Sequence, residues 1–356
     1  MARKINTLTA VLIVAAVAGC TAAESAAVVE EVKEEVRMID TTLPEGAIEE
    51  FFTNIAEGDF EAVYEEAVAT NGQLNPKDAY VKKLEEVFTG IDPTKVQYAT
   101  WENADGSFSY KVYNDGESIG TLFLRKNEDG NWTVSASFEG DENYKIEVPV
   151  GLKVLVNGME LSRDYLYQED IVATNFSGMN DQSEAPHVNQ YIVENLMAEP
   201  VVTVKGDSSY TTLKNVLNNT LYVGKKTNDS ALAETMINDA MICAKWPAQE
   251  ASLSQVAAIS VTDSDWYKRV SGVQNQWFTA HGVSKFSNQT ASNIIMQSED
   301  TMVGYVTFDY YATNGDVERT WHGGYQMTFM NFGGVWKIAG MAVCNELNPA
   351  LKGRFG

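Results

Sequence analysis

The chain has 356 residues, 44% of them hydrophobic, and a formal net charge of −23. That length allows about two or three domains with sizeable cores. The acidic balance excludes the clustered Lys and Arg that a nucleic-acid partner or an anionic lipid surface demands. Self-repulsion that keeps a protein soluble outside the cell accounts for such a charge, with a cationic ligand as the alternative.

Residues 1–19 read as an export leader. Arg3 and Lys4 give a positive start, residues 8–18 are apolar and uncharged, and small residues stand before Cys20. This is the layout of a secretory signal peptide, and the apolar run is too short to stay as a span across a ~30 Å hydrocarbon core. Val17-Ala18-Gly19-Cys20 resembles the bacterial lipobox. That resemblance implies cleavage between Gly19 and Cys20, diacylglycerol on the Cys20 sulfur, and a protein held by its lipid anchor on the extracytoplasmic side of a cell membrane. Two or three acyl chains hold a protein where one barely does, each buried CH₂ contributing about 0.8 kcal/mol. An ordinary signal peptide with a chance cysteine is the plainer reading. Loss of Arg3 and Lys4 leaves the mature chain near −25. Residues 20–44, small and polar and then alternating Glu, Val and Lys, have little to bury and read as a flexible tether. No later segment is long and apolar enough to span a membrane.

The first folded unit is expected over residues 45–140. Ile48, Phe51, Phe52 and Ile55 fall at helical spacing, Gly58-Asp59 interrupts, and Phe60, Val63, Tyr64, Ala67 and Val68 resume. Asn75 offers an N-cap with Pro76 at the first helical position, before the stripe Tyr80, Val81, Leu84, Val87 and Phe88. After Pro93 the period becomes two. Phe108, Tyr110 and Val112 alternate, Asp115-Gly116 supplies a hairpin turn, residues 119–124 return, and Trp132, Val134, Ala136 and Phe138 follow a second turn at Gly130. Helices followed by an antiparallel meander make an α+β layout.

Residues 143–223 show no long helix. Ile146, Val148 and Val150 alternate, Asn157-Gly158 turns, and Val201 to Val204 are β-rich, with a long loop at 174–188. These read as a small β-sandwich-like module. A third unit is expected over 228–346, followed by a tail at 347–356. Asp229 caps a helix whose face holds Leu232, Met236, Ala240 and Cys243. Ser264-Asp265 caps another with Trp266, Val270, Val273 and Trp277. Strands then run through Tyr305 to Tyr311, Trp321 to Phe332 and Val335 to Ile338. Cys243 and Cys344 are an even pair in an exported protein, so a disulfide is allowed; two buried thiols fit equally well.

The first and third units end alike, each with a turn and then Gly130-Asn131-Trp132-Thr133-Val134 or Gly334-Val335-Trp336-Lys337-Ile338. This helix-then-meander order resembles the nuclear transport factor 2-like fold, a cone of bent sheet wrapped on helices. The middle piece from Tyr144 to Gly158 looks like the β module of TcaA-like envelope proteins. The resemblance implies two cone domains, α+β, flanking a small all-β module. It says little of function, since such folds host enzymes and binding modules alike.

The chemistry is sparse. Asp309 and His322 on adjacent strands are the best acid–base pair to be assembled, and would suit an enzyme of the ketosteroid isomerase-like or SnoaL-like kind in the C-terminal cone. An exposed Asp on a half-wet strand is the plainer reading. His281 reads as a residue at a helix C-terminus, and His187 as part of the module's loop. No Cys-x-x-Cys, calcium loop, phosphate loop or nucleophile elbow is present, so neither metal nor cofactor is expected. Trp321, Tyr325 and Trp336 are candidates for a ligand cavity, against plain core packing. The expectation is a non-enzymatic, lipid-anchored envelope protein that binds or scaffolds a cell-wall or envelope ligand. An extracytoplasmic enzyme and a solute-binding lipoprotein are the alternatives. Oligomeric state is open.

Overall fold

The computed structural model describes residues 5–6, 42–66, 74–89, 96–137, 140, 142–272 and 281–352. Gly19, Cys20, most of the tether, Val273 and Trp277 lie outside the described residues. Among the described residues no helix is long and apolar enough to cross a membrane. The chain divides into two compact units, Met1–Glu142 with Asn195–Glu199, and Asn143–Glu194 with Pro200–Gly356.

The first unit begins with a two-residue strand, β1 (Ile5–Asn6). Three helices follow, α1 (Pro44–Glu57), α2 (Phe60–Glu66) and α3 (Lys77–Phe88), and then strands β2 (Val96–Glu102), β3 (Phe108–Asn114), β4 (Glu117–Lys126) and β5 (Trp132–Ser137). Gly58 ends α1 in the left-handed region, at φ 75°, where a residue without Cβ is at ease. The sheet is an antiparallel meander in chain order, and Asp115 and Gly116 turn β3 into β4 at φ 48° and 86°. Phe51, Tyr80, Leu84 and Phe88 of the helices close on Val112, Leu122, Leu124 and Val134 of the sheet. The α+β order expected from periodicity is therefore present. One detail differs. Asn75 does not cap α3; its buried side chain instead donates to Asn195 O at 3.1 Å and accepts from Met197 N at 2.8 Å.

The second unit opens with strands β6 (Glu142–Pro149), β7 (Val154–Val156), β8 (Met159–Glu160), β9 (Leu166–Val172), β10 (His187–Leu196), β11 (Val202–Val204), β12 (Tyr210–Lys214) and β13 (Thr220–Lys226). Helices α4 (Ser230–Lys245), α5 (Leu253–Ala258) and α6 (Asp265–Gly272) follow, then β14 (Val283–Ser298), β15 (Thr301–Thr313), β16 (Glu318–Phe332) and β17 (Val335–Val343). The boundary expected between residues 223 and 228 is not a boundary. β13 pairs in parallel with β6 (Tyr222 opposite Glu147) and antiparallel with β14 (Lys226 opposite Ile295). One nine-stranded sheet thus runs β17-β16-β15-β14-β13-β6-β10-β9, with β12 beside β13. Only β7, β8 and β11 form a separate three-stranded sheet. In place of an independent module and a second cone there is one continuous body.

The two faces of this sheet differ. Met236, Ala240 and Cys243 of α4, Val256 of α5 and Trp266 of α6 pack on Met302, Val306, Met327, Phe329 and Ile338. Asp229 caps α4, accepting from Ala231 N at 2.8 Å, and a capping box of Ser252 and Gln255 starts α5, the reciprocal pairing that S-x-x-Q permits. The other face carries residues 173–186, most of the loop expected at 174–188, which cross it as a strap. Phe176, Met179 and Ala185 pack there against Met330 and Ala339, and Gly178 O accepts from Asp265 N at 2.7 Å.

The strap is pinned by Glu147, a carboxylate with no exposure. It accepts from Thr174 N at 3.0 Å, Thr174 Oγ1 at 2.7 Å and Gln190 Nε2 at 3.0 Å. Truncation would strand all three donors without solvent, a loss of about 3 kcal/mol. Glu147→Ala is expected to lower the urea midpoint by that loss divided by the unfolding slope, with the slope itself unchanged. A loss under about 1 kcal/mol would show that the strap is held elsewhere.

Candidate functional site

Chemistry-bearing side chains gather at one end of β14, β15 and β16, on both faces of the sheet. Register explains why. Asp309 stands opposite His322, and Tyr310 opposite Trp321. Alternation therefore sends Asp309 and His322 to the strap side and Tyr310 and Trp321 to the helix side. Burial fades toward this end, since residues 318–321 are exposed whereas 323–330 are buried. Ionisable groups here reach solvent while staying packed.

On the strap side, His322 Nδ1 lies 2.6 Å from Asp309 Oδ1. The carboxylate is further fixed by Asn288 Nδ2 at 2.7 Å and Asn348 Nδ2 at 3.2 Å. Asn288 is placed by a β-bulge, with its backbone at φ 54°. Asn348 is buried and also reaches Phe308 O at 2.9 Å and Gly323 O at 3.2 Å. Burial works to raise the Asp309 carboxyl, but the hydrogen bonds from His322, Asn288 and Asn348 outweigh it and hold it below its ordinary value. Asp309 is thus an anchored anion that sets the imidazole's orientation, and Nδ1–H facing it leaves Nε2 as the acceptor. The dyad that the sequence offered is therefore assembled.

Among the described residues no thiol completes it. Cys344 donates to Glu346 Oε2 at 3.2 Å, and burial together with that bond raises its pKa, so it is held as a neutral thiol rather than a nucleophile. Gly324 keeps this crossing open, since a Cβ there would collide with Cys344 O. Cys243 lies buried on α4, and both cysteines are free; the allowed disulfide is not formed.

On the helix side, Glu250 Oε1 accepts from His281 Nε2 at 2.7 Å and from Tyr310 OH at 2.5 Å. Burial favours the neutral Glu250 carboxyl, yet bonds from Tyr310, Ser284 and His281 lower its pKa overall. Burial and then the Glu250 bond push the Tyr310 phenol up. Around this clamp runs an aromatic rim. Trp321, 43% exposed, lies 5.6 Å from Tyr310 at an interplanar angle of 34°, and Phe286 lies 4.9 Å from Tyr310. Lys245 Nζ sits 5.8 Å from the Phe286 centroid.

Trp321, Tyr325 and Trp336 do not line one cavity. Tyr325 is core, packed on Phe308 at 5.1 Å. The Phe308 ring fills the notch left by Gly323, where any Cβ would strike it. Trp336 stands opposite Asn331, about ten positions along β16 from Trp321, or roughly 33 Å at strand rise. His187 is also relocated: it begins β10 rather than lying in a loop, with Nδ1 2.8 Å from Asp170 Oδ1. The clamp could not be read from the sequence, because Glu250 and His281 lie in segments without periodicity. Among the described residues, no group of three or more His, Cys, Asp or Glu is placed to hold a metal.

No family model matches the chain, and no curated protein matches it. Among solved structures, a chain described as "Ntf2 like protein involved in plasmid conjugation" is 8% identical, with 70% of this chain and 76% of that chain covered and a TM-score of 0.26, a likeness too slight to bear on fold or function.

One carboxyl behaves oppositely to Asp309 and Glu250. Asp239, on the buried face of α4 and only 8% exposed, has its pKa raised by burial to about 7. Its folded value lies above its unfolded one, so its contribution to stability is complete below about pH 4 and is lost as pH rises to about 7. The thermal midpoint of Asp239→Asn is expected to lack that part of the decline and to exceed the parent's at pH 8. Parallel pH curves for the two proteins would refute it.

Proposed function

We propose that this chain is a lipid-anchored binding protein of the bacterial cell surface, without catalytic activity, tethered through Cys20 and presenting its second unit to an envelope ligand. The lipobox-like Val17-Ala18-Gly19-Cys20 and the acidic charge of the chain support the placement. The binding role rests on one observation, the exposed Trp321 indole seated on Tyr310 beside the fixed Glu250 and His281. An open aromatic face with a few oriented polar groups is the make-up of a small-molecule or polymer site. A sugar ring suits it: the indole takes the apolar face of the ring, and the carboxylate and imidazole take its hydroxyls.

The two parts of the reading separate in one set of measurements. Mass spectrometry of the native protein is expected to show cleavage before Cys20 and a diacylglycerol adduct that Cys20→Ser abolishes. A bare thiol on the native product rules out the anchor. The soluble mature chain is expected to bind cell-wall glycan fragments in a Trp-fluorescence titration, with Trp321→Ala weakening binding about tenfold, or about 1.4 kcal/mol. Undiminished binding by Trp321→Ala removes the rim from the reading.

A second reading is favoured by the 2.6 Å contact of His322 with Asp309. An imidazole oriented in this way is a general base if a substrate proton comes within reach of Nε2. Its mark would be a turnover that His322→Gln abolishes while glycan binding at the rim is unchanged. Equal loss of both would mean that the dyad only supports the sheet.

A further inference from the structure

Beneath the strap two amides meet in the interior. Asn175 Nδ2 donates to Gln297 Oε1 at 2.7 Å. The other two ends of the pair, Asn175 Oδ1 and Gln297 Nε2, are buried and have no hydrogen-bond partner among the described residues. Gln297 is 6% exposed, on β14, and its neighbour Thr301 is not exposed at all. The Thr301 hydroxyl is already engaged with Ser298 Oγ at 2.8 Å.

Amide orientation does not remove the deficit. Exchanging oxygen and nitrogen on one amide sets two donors or two acceptors against each other. Exchanging both restores a single bond and leaves one donor and one acceptor stranded as before. Buried polar groups of native proteins are nearly all satisfied, so a missing partner must supply both an acceptor and a donor. A cation would meet the oxygen and be repelled by the amide N–H groups, and an anion the reverse. The third such orphan, Asn114 Oδ1, is a lone acceptor in the first unit and has no complementary donor beside it.

We propose that one water molecule is an integral part of the second unit, held under the strap by accepting from Gln297 Nε2 and donating to Asn175 Oδ1. Such a water is satisfied by a few fixed polar atoms and stays put. It adds a second link between Asn175 of the strap and Gln297 of β14, beside their direct hydrogen bond.

High-resolution diffraction from the wild-type protein, together with oxygen-17 relaxation dispersion to count long-lived waters in solution, tests this. Density the size of one water within hydrogen-bond distance of both atoms is expected. The paired variant Asn175→Leu/Gln297→Met, apolar and similar in volume, is expected to hold one long-lived water fewer than wild type. Empty density, density belonging to an ion or a larger molecule, or an unchanged count would overturn the proposal. Should the paired variant not fold, the wild-type density alone decides.

Discussion

The second unit depends on a carboxylate placed where water cannot reach it. Glu147 has no exposure and is met only by donors, two from Thr174 and one from Gln190. A charge in the interior is tolerated only when it is fully hydrogen-bonded, so the position of Thr174 is not negotiable once Glu147 is in β6. That requirement draws residues 173–186 down onto the sheet. Tyr222, in register with Glu147 on β13, stands in the same dry setting: burial pushes its phenol up to about 12, and Asn215 Nδ2 donates to its oxygen at 2.7 Å.

With one face of the sheet taken by the strap, the helices have only the other. The strap side mixes its apolar cluster around Phe176 and Met330 with buried polar side chains, Gln190, Gln326, Thr301 and Thr328, Gln326 accepting from Val216 N at 2.8 Å and Tyr305 OH donating to Lys214 O. The helix side is nearly all hydrocarbon, aromatic ring and sulfur. This division leaves the far ends of β14 to β16 as the place where ionisable groups are both held and wetted.

The first unit was legible because its core is made of local periodicities: a 3.6 stripe in α1 and α3, a two-residue alternation in β3 to β5, and turns that need positive φ. The second unit hid its organisation for physical reasons. β6 is covered on both faces, so Glu147, which reads as an outward position in the alternation of Ile146 and Val148, is just as buried as they are. β14 reads as polar, with Ser, Asn, Gln and Thr through its length, and its bulges with Asn288 and Asn293 in the left-handed region destroy any period. A sheet joined through such strands looks like two domains from sequence alone. Of the site, Asp309 and His322 stood out in the sequence as the best acid–base pair, but the strand register that brings them into contact could not be read from spacing. Glu250 and His281, brought together by α4 and the start of β14, left no pattern to find. The S-x-x-Q at Ser252 was a signal that would have located α5.

Three carboxyls within the C-terminal part of this unit have been sorted by surroundings, not by residue type. Asp309 and Glu250 lie near the sheet's open end among donors, and both remain anions below their ordinary range. Asp239 lies on the hydrocarbon side, where burial alone acts, and its pKa rises to about 7. Environments that push like groups apart in pKa are how a protein assigns them separate tasks. The anions are suited to orienting imidazoles and meeting a polar ligand. Asp239 lies against apolar neighbours, where burial disfavours its charged form. At the Trp321 rim the fixed anion is Glu250, held by Tyr310 and His281 with Lys245 near Phe286, whereas Asp309 serves the opposite face of the same strands.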